Sequence, residues 1–213
     1  MQLKTFQFNP IGVNTYVLYD ETKECVIIDP GCFYPDEKIE LLNFIIDNDL
    51  VVKHILNTHM HFDHVLGNNF VFEQFGLNPE AHKDDEFLLE QFATQMRMFG
   101  VEGGDVKTPS IGTYLNEDDV ITFGKQRLIV IHVPGHSPGS VVFYNPDAQV
   151  LIGGDVLFYG SIGRTDLARG SFDQLVGGIK TKLLTLPADT TVYTGHGSKT
   201  TIGFEAKNNP YLQ

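Results

Sequence analysis

Four side chains that commonly bind metal ions are crowded into a single short loop. His59, His61, Asp63 and His64 closely follow residues 51–56, a mostly apolar segment that is predicted to be a buried strand. In α/β proteins, active and ligand-binding sites lie in the loops at the carboxyl ends of strands. His59 and His61 are two residues apart, so their rings point the same way in an extended loop, whereas Asp63 and His64 stand where a helix begins. One loop can therefore address two neighbouring metal ions.

Three further candidate ligands stand at the ends of other predicted strands. His136 lies in a Pro-Gly-His-Ser-Pro-Gly turn, Asp155 follows two glycines, and His196 lies between two glycines. Glycine at such junctions lets the backbone approach closely. A metal ion needs more ligands than the first loop supplies, and imidazole and carboxylate groups suit zinc, iron or manganese. The pattern therefore predicts a metal site built from several strand ends.

The rest of the chain alternates short strands with amphipathic helices. Strands are predicted at 2–8, 14–20, 25–28, 51–56, 120–123, 128–133, 140–144, 150–152 and 191–194. Helices are predicted at 36–48, 63–76, 84–99 and 171–184, with a glycine-rich loop over 100–109. Two similar halves of this kind favour two packed sheets with helices outside. We expect one domain over residues 1–213.

Composition restricts the class of partner. The formal net charge is −12, and a surface this acidic repels nucleic acid and anionic membranes. The N-terminus lacks the pattern of a signal peptide, and no apolar run is long enough for a membrane span, so a cytoplasmic protein is expected. The two cysteines, Cys25 and Cys32, are expected to be reduced and structural.

The segment Thr58–His64, followed by His136, Asp155 and His196, resembles the metallo-β-lactamase superfamily. The matching motifs extend from about residue 14 to the carboxyl end. Residues 153–158 and 161–166 are most similar to the short bacterial members of the glyoxalase II-like hydrolases. The resemblance implies an α/β fold, a four-layer αββα sandwich of two mixed sheets, without the separate C-terminal helical domain of longer glyoxalase II enzymes. The substrate cleft is therefore expected to be open.

The resemblance also implies a ligand assignment. The first metal is assigned three histidines: His59, His61 and His136. The second is assigned Asp63, His64 and His196. Asp155 is expected to bridge the two ions. Many true β-lactamases carry Cys at the position of Asp155, and the oxygen donor here argues against that subgroup.

Such a site is expected to hold two divalent ions, with zinc expected and iron or manganese also accepted by these ligands. A hydroxide bridging the two metals would attack a carbonyl carbon, with Asp63 and Asp155 as the catalytic carboxylates. Thiols have pKa values near 8.5, so a thiolate leaves readily without a protein acid. The expected activity is therefore hydrolysis of a small-molecule thioester.

Three alternatives remain open from the sequence. The first is a persulfide (sulfur) dioxygenase with one iron, because that family shares a Gly-Arg-Thr-Asp segment like residues 163–166. The second is a phosphodiesterase or nuclease of the same fold, which the acidic charge disfavours. The third is a metal-binding module without catalysis.

Arg164 has two interpretations. Its planar guanidinium can bind a substrate carboxylate, or it can form a structural ion pair with a nearby carboxylate. In glyoxalase II enzymes a Lys at a comparable place contacts glutathione, but the tyrosines that assist it have no evident match near Asp166 or Ser198. The resemblance therefore does not establish glutathione as the substrate thiol.

The other histidines, His54, His82 and His132, are expected to be structural, with His82 at a helix start. His132 has a second interpretation, as a residue that orients His136, four residues later. Five apolar residues of the helix predicted at 84–99 are expected to pack in the core: Phe87, Leu88, Phe92, Met96 and Phe99. The alternative is that Met96 and Met98 form a mobile apolar wall over the metals.

Overall fold

The computed structural model describes residues 1–101 and 107–213 and contains two six-stranded sheets. The first sheet has its strands in chain order: β1 (Gln2–Phe8), β2 (Val13–Tyr19), β3 (Glu24–Ile28), β4 (Val51–Leu56), β5 (Pro79–His82) and β6 (Thr113–Leu115). The β1–β2 and β2–β3 pairs are antiparallel. The later pairs, from β3–β4 to β5–β6, are parallel, so the sheet is mixed.

The second sheet comes from the carboxyl-terminal half. Its strands are β7 (Val120–Phe123), β8 (Gln126–His132), β9 (Val141–Asn145), β10 (Val150–Gly154), β13 (Thr191–Thr194) and β14 (Thr200–Thr201). Neighbours are antiparallel except β10 and β13, which run parallel. A small hairpin, β11 (Leu157–Phe158) with β12 (Ser161–Ile162), leaves the edge where β10 ends.

Helices cover the outer faces of both sheets. They are α1 (Pro35–Asp47), α2 (Phe62–Val65), α3 (Asn68–Phe75), α4 (Glu86–Glu90), α5 (Phe92–Met98), α6 (Phe172–Gly178) and α7 (Ile202–Asn208). A 3-10 turn (Lys83–Asp85) precedes α4, and a π-helical turn (Ile179–Leu183) continues α6. In the described part of the chain, none of the helices combines the length and apolar character needed to cross a membrane.

Strand alternation explains the layers. In β3, Val26 and Ile28 face the second sheet, whereas Cys25 and Ile27 face α1. The strand β9 alternates in the same way, with Phe143 between the sheets and its neighbours under α6. Successive side chains of a strand point to opposite faces, so a strand buried on both sides is apolar throughout. The resulting order, helices, sheet, sheet, helices, is the αββα sandwich that the sequence predicts.

Two predicted helices are each broken into pieces. The helix predicted at 63–76 is α2 and α3, because the chain bends at Gly67 to pack against the Pro30 carbonyl. A side chain at Gly67 would collide with Cys32 Sγ. The helix predicted at 84–99 is the 3-10 turn, α4 and α5, interrupted at Gln91, whose N–H donates to the carbonyl of Leu88 three residues back.

The sequence analysis missed several strands. They are β5, β6, β11, β12 and β14, which have two to four residues each. Strands this short carry too few alternating side chains for a periodic signal. The loop predicted at 100–109 falls partly on residues 102–106, which lie outside the described residues.

Candidate metal centre

The predicted ligands come together at one edge of the sandwich, where strands of both sheets end. The loop after β4 and the start of α2 contribute four side chains: His59, His61, Asp63 and His64. The second sheet contributes three, from the ends of β8, β10 and β13: His136, Asp155 and His196. The site therefore exists only where the two sheets meet.

The first group consists of His59, His61 and His136, whose ligand atoms all lie within 4.8 Å of one another. His136 Nε2 lies 2.9 Å from His61 Nδ1 and 3.2 Å from His59 Nε2. All three side chains are buried. This is the set that the resemblance assigns to the first metal.

The second group consists of Asp63, His64 and His196, and it satisfies the same distance limit. Asp63 Oδ2 lies 3.2 Å from His196 Nε2 and 3.7 Å from His64 Nε2. This is the set assigned to the second metal.

Asp155 lies between the two groups. Its Oδ1 is 3.5 Å from His64 Nε2, and its Oδ2 is 3.5 Å from His136 Nε2 and 3.7 Å from His196 Nε2. One carboxylate therefore faces histidines of both groups, as a bridging ligand must.

Hydrogen bonds on the far side of the rings fix which nitrogen faces the cluster. His64 Nδ1 donates to Asp29 Oδ2 at 2.9 Å, and His136 Nδ1 donates to the carbonyl of Arg164 at 2.8 Å. His59 Nδ1 lies 3.1 Å from Thr58 Oγ1, whose own proton goes to Asp29. Such contacts set the tautomer of metal-binding histidines.

His196 is held in the same way by the N-terminal hairpin. Its Nδ1 lies 3.3 Å from the carbonyl of Gly12, and the N–H of Asn14 donates to the carbonyl of Gly195 at 2.7 Å. With the Nδ1 atoms engaged in these contacts, four rings point their Nε2 atoms at the cluster. They are His59, His64, His136 and His196.

Two atoms at the centre show that this arrangement suits a metal ion. His64 Nε2 and Asp155 Oδ1 are buried without a hydrogen-bond partner among the residues that the structure describes. Buried polar groups are normally paired, and the donors here are imidazole nitrogens and carboxylate oxygens. The residues present therefore fit divalent metal ions.

The electrostatics divide the cluster into two parts. Burial lowers the pKa of His61 to about 3, with His136 adding to the effect, so this ring stays neutral as a metal ligand must. Burial also acts downward on His64, but Asp63, Asp155 and Asp29 outweigh it and raise its pKa well above the ordinary value. These carboxylates therefore favour a positive charge here, which a metal ion supplies.

Asp85 connects the two ligand loops, and the sequence analysis did not single it out. Its carboxylate is fully buried and accepts hydrogen bonds from Met60 N at 3.1 Å, Ser137 Oγ at 2.7 Å and Gly139 N at 2.6 Å. Met60 lies between two ligands of the first loop, and Ser137 follows His136. Asp85 therefore fixes the spacing of the two loops.

Asp29, in the Asp-Pro-Gly segment that follows β3, is a second residue of the site that the sequence analysis did not single out. The one available signal was its position at the end of an apolar strand, like that of the ligands themselves. Its Oδ1 accepts the N–H of Thr58 at 2.7 Å, and its Oδ2 accepts from Thr58 Oγ1 and His64. The residue has φ +49°, which turns the chain sharply after β3.

The structure also shows the contacts of the other residues that the sequence analysis named. Arg164 makes two 2.7 Å hydrogen bonds to Asp166, so the ion pair is the arrangement observed. His54 pairs with Glu80, and His82 accepts the N–H of Asp84 at a helix start, as predicted. The hypothesis that His132 orients His136 is wrong.

His132 instead makes contacts away from the cluster. Its Nε2 lies 2.8 Å from the carbonyl of Pro138, and its ring stacks on His82 with centroids 4.1 Å apart. The ring of His136 is oriented by the carbonyl of Arg164.

The cysteines behave as predicted. Cys25 and Cys32 are free and buried, and burial raises the pKa of each thiol to about 12. A thiol in this condition is not a nucleophile at neutral pH.

A cavity of about 450 Å³ opens directly over the cluster. Five of the seven predicted ligands reach its wall: His61, Asp63, His136, Asp155 and His196. His59 and His64 lie beneath them. Met98 and Phe99 from the end of α5 form part of the wall, so the core position predicted for Phe99 is wrong. Met96 is buried in the core, as predicted. A substrate in the cavity would therefore contact the ligands from one side only.

Comparison with known proteins agrees with this geometry. The model of the family "Metallo-beta-lactamase superfamily" matches residues 8–196. Hydroxyacylglutathione hydrolase GloC of Haemophilus influenzae is 38% identical, with 100% of this chain and 98% of that protein covered.

Two solved structures are similar over nearly the whole chain. The crystal structure of BLEG-1 B3 metallo-beta-lactamase has a TM-score of 0.89 at 38% identity and covers 100% of both chains. The structure of TTHA1623 in a di-iron-bound form has a TM-score of 0.86 at 35% identity, with 98% and 100% covered. This chain belongs to the metallo-beta-lactamase superfamily and is one of its metal-dependent hydrolases.

Proposed function

We propose that this protein hydrolyses the thioester bond of a small molecule at a two-metal centre. The observation that carries the proposal is the pair of ligand groups that share Asp155, with His64 Nε2 and Asp155 Oδ1 buried and unpaired among the described residues. The similarity to a hydroxyacylglutathione hydrolase over the full chain supports a thioester as the substrate class.

The chemistry divides between the metals and the chain. Bound metal ions would supply an activated water molecule and polarise the carbonyl of the ester. Asp63 lies on the cavity wall 3.2 Å from His196, where its carboxylate can hold and orient a water molecule beside the substrate. A thiolate leaves without a protein acid because thiol pKa values lie near 8.5.

We propose the ligand assignment that the resemblance implies. His59, His61 and His136 hold one ion, and Asp63, His64 and His196 hold the other, with Asp155 common to both. Zinc is the metal proposed. Iron is the principal alternative, because a similar structure contains two irons and these ligands accept either metal.

The deciding experiment measures metal content together with hydrolysis of S-lactoylglutathione and of a simple alkyl thioester. We expect about two metal ions per chain and turnover of at least one of these thioesters. The Asp155→Ala variant should lose both turnover and bound metal. One iron per chain, with oxygen uptake on a persulfide and no thioester cleavage, would replace this proposal with a dioxygenase.

A second candidate is hydrolysis of β-lactams, which the likeness to a B3 metallo-beta-lactamase favours. A β-lactam also presents a carbonyl to the metals, but its leaving group is an amine that needs a proton. Hydrolysis of a chromogenic cephalosporin faster than of any thioester would favour this candidate.

A further inference from the structure

The cavity over the cluster is mostly apolar beyond the ligands. Seven lining residues share this character: Ile11, Phe62, Leu88, Met98, Phe99, Leu167 and Ala168. Met98 is 75% exposed and Phe99 is 43% exposed, although both are large and apolar. Exposed apolar side chains around a concave site mark the place where a ligand makes contact. The wall therefore favours an apolar group beside the reacting bond.

The charge of the cavity leads to the same conclusion. Among the described residues that line it, Arg164 is the only Lys or Arg. Its Nε and Nη2 each donate to the carboxylate of Asp166 at 2.7 Å, so the pair has no net charge. The other polar groups outside the ligands are the neutral amides Gln91 and Gln95.

We propose that the thiol part of the substrate is uncharged and largely apolar, and that glutathione is not the preferred thiol. The inference rests on the proposed thioester hydrolysis and narrows its substrate class. Glutathione carries two carboxylates and one ammonium group, so its net charge is negative, and a buried carboxylate needs a cationic or hydrogen-bonding partner. Among the described residues, the cavity offers one cation, Arg164, which is already paired with Asp166, and two neutral amides, Gln91 and Gln95. The chain as a whole carries a net charge of −12.

The test compares two inert thioethers with the same alkyl group and different thiols. S-hexylglutathione and S-hexyl-N-acetylcysteamine are titrated into the metal-loaded protein by calorimetry. We expect the neutral thioether to bind about tenfold more tightly, the effect of one uncompensated charge near a protein surface. Equal or tighter binding of S-hexylglutathione would overturn the inference.

The Asp166→Asn variant tests whether pairing of Arg164 with Asp166 weakens the binding of S-hexylglutathione. It releases the guanidinium of Arg164 from its partner, so S-hexylglutathione should bind more tightly while S-hexyl-N-acetylcysteamine is unaffected. The matched control is Asp147→Asn, which breaks the exposed Arg127–Asp147 pair and changes the net charge equally. If both variants tighten S-hexylglutathione to the same extent, the effect is one of overall charge, and the local argument fails.

Measuring binding and turnover separately distinguishes a failure of this inference from a failure of the proposed function. Preference for the neutral thioether without cleavage of the corresponding thioester would refute the hydrolase and leave the preference standing. Faster cleavage of S-lactoylglutathione than of S-lactoyl-N-acetylcysteamine would support the hydrolase and refute the preference.

Discussion

His64 Nδ1 donates a hydrogen bond to Asp29 Oδ2 at 2.9 Å, and both side chains are almost completely buried. The bond leaves His64 Nε2 facing Asp63 and Asp155. The orientation of one proposed ligand of the second metal therefore depends on a residue that does not itself face the cluster.

Replacing Asp29 should weaken metal binding without removing a ligand. We expect Asp29→Ala to lower affinity for the second metal about 10- to 100-fold, because His64 loses the partner that fixes its tautomer. Competition with a chromogenic chelator measures the change. The exposed Asp189→Ala variant is the control. Unchanged affinity in Asp29→Ala would mean that packing alone orients the ring.

Removing Asp85 should destabilise the fold as well as the site. Asp85→Ala leaves the N–H groups of Met60 and Gly139 and the hydroxyl of Ser137 without their partner, so we expect a loss of about 3 kcal/mol in the free energy of unfolding. Urea denaturation with a chelator present measures this loss apart from metal binding. Asp85→Asn keeps one acceptor and should lose less; equal losses would contradict the role of the hydrogen bonds.

A methyl group at Gly195 should disrupt the centre directly. A Cβ built there collides with Asp155 Oδ1 and lies 2.9 Å from His64 Cε1. We expect Gly195→Ala to reduce the metal content measured by elemental analysis. The control is Gly177→Ala in α6, where a Cβ meets nothing within 4 Å; it should keep its metal and gain about 0.5–1 kcal/mol of helix stability. Full metal content in Gly195→Ala would show that the carboxylate can move aside.

Asp20 should make stability depend on pH in the acid range. Burial acts to raise its pKa, but hydrogen bonds from Thr22, Lys125 and Gln126 outweigh this and hold the pKa below the ordinary value. A depressed folded-state pKa gives stability that is present above the unfolded-state pKa of about 3.9 and is lost as pH falls below it.

The test is urea denaturation of wild type and Asp20→Asn between pH 6 and pH 3, with metal chelated. We expect wild type to be more stable at pH 6 and the difference to shrink at the acid end. A difference that is constant across this range would contradict the assignment.

Local signals made most of the centre predictable from the sequence. Four of the proposed ligands lie in one loop after a predicted strand, and the other three stand beside glycines at strand ends, so residue type and position were enough to single them out. Asp85 could not be found in this way, because its role comes from a hydrogen bond to Gly139, 54 residues later. Nothing in its own acidic neighbourhood distinguishes it from a solvated charge.

The layers were predictable for a similar reason, and the finer elements were not. A continuous apolar run such as that of β9 predicts a strand that is buried on both faces. The breaks at Gly67 and Gln91 depend instead on tertiary contacts, such as the fit of Gly67 against Cys32. The apolar periodicity of the sequence continues across these breaks, so it does not reveal them.

The contact between the β1–β2 hairpin and His196 affects when the proposed metal centre can form during synthesis. During synthesis, Gly12 and Asn14 leave the ribosome long before His196, which they hold. Contacts this distant in sequence form late, because a long loop must close first. The nascent chain therefore carries an incomplete set of the proposed ligands until the segment after β13 emerges, so we expect the second proposed metal site to form only after that segment leaves the ribosome.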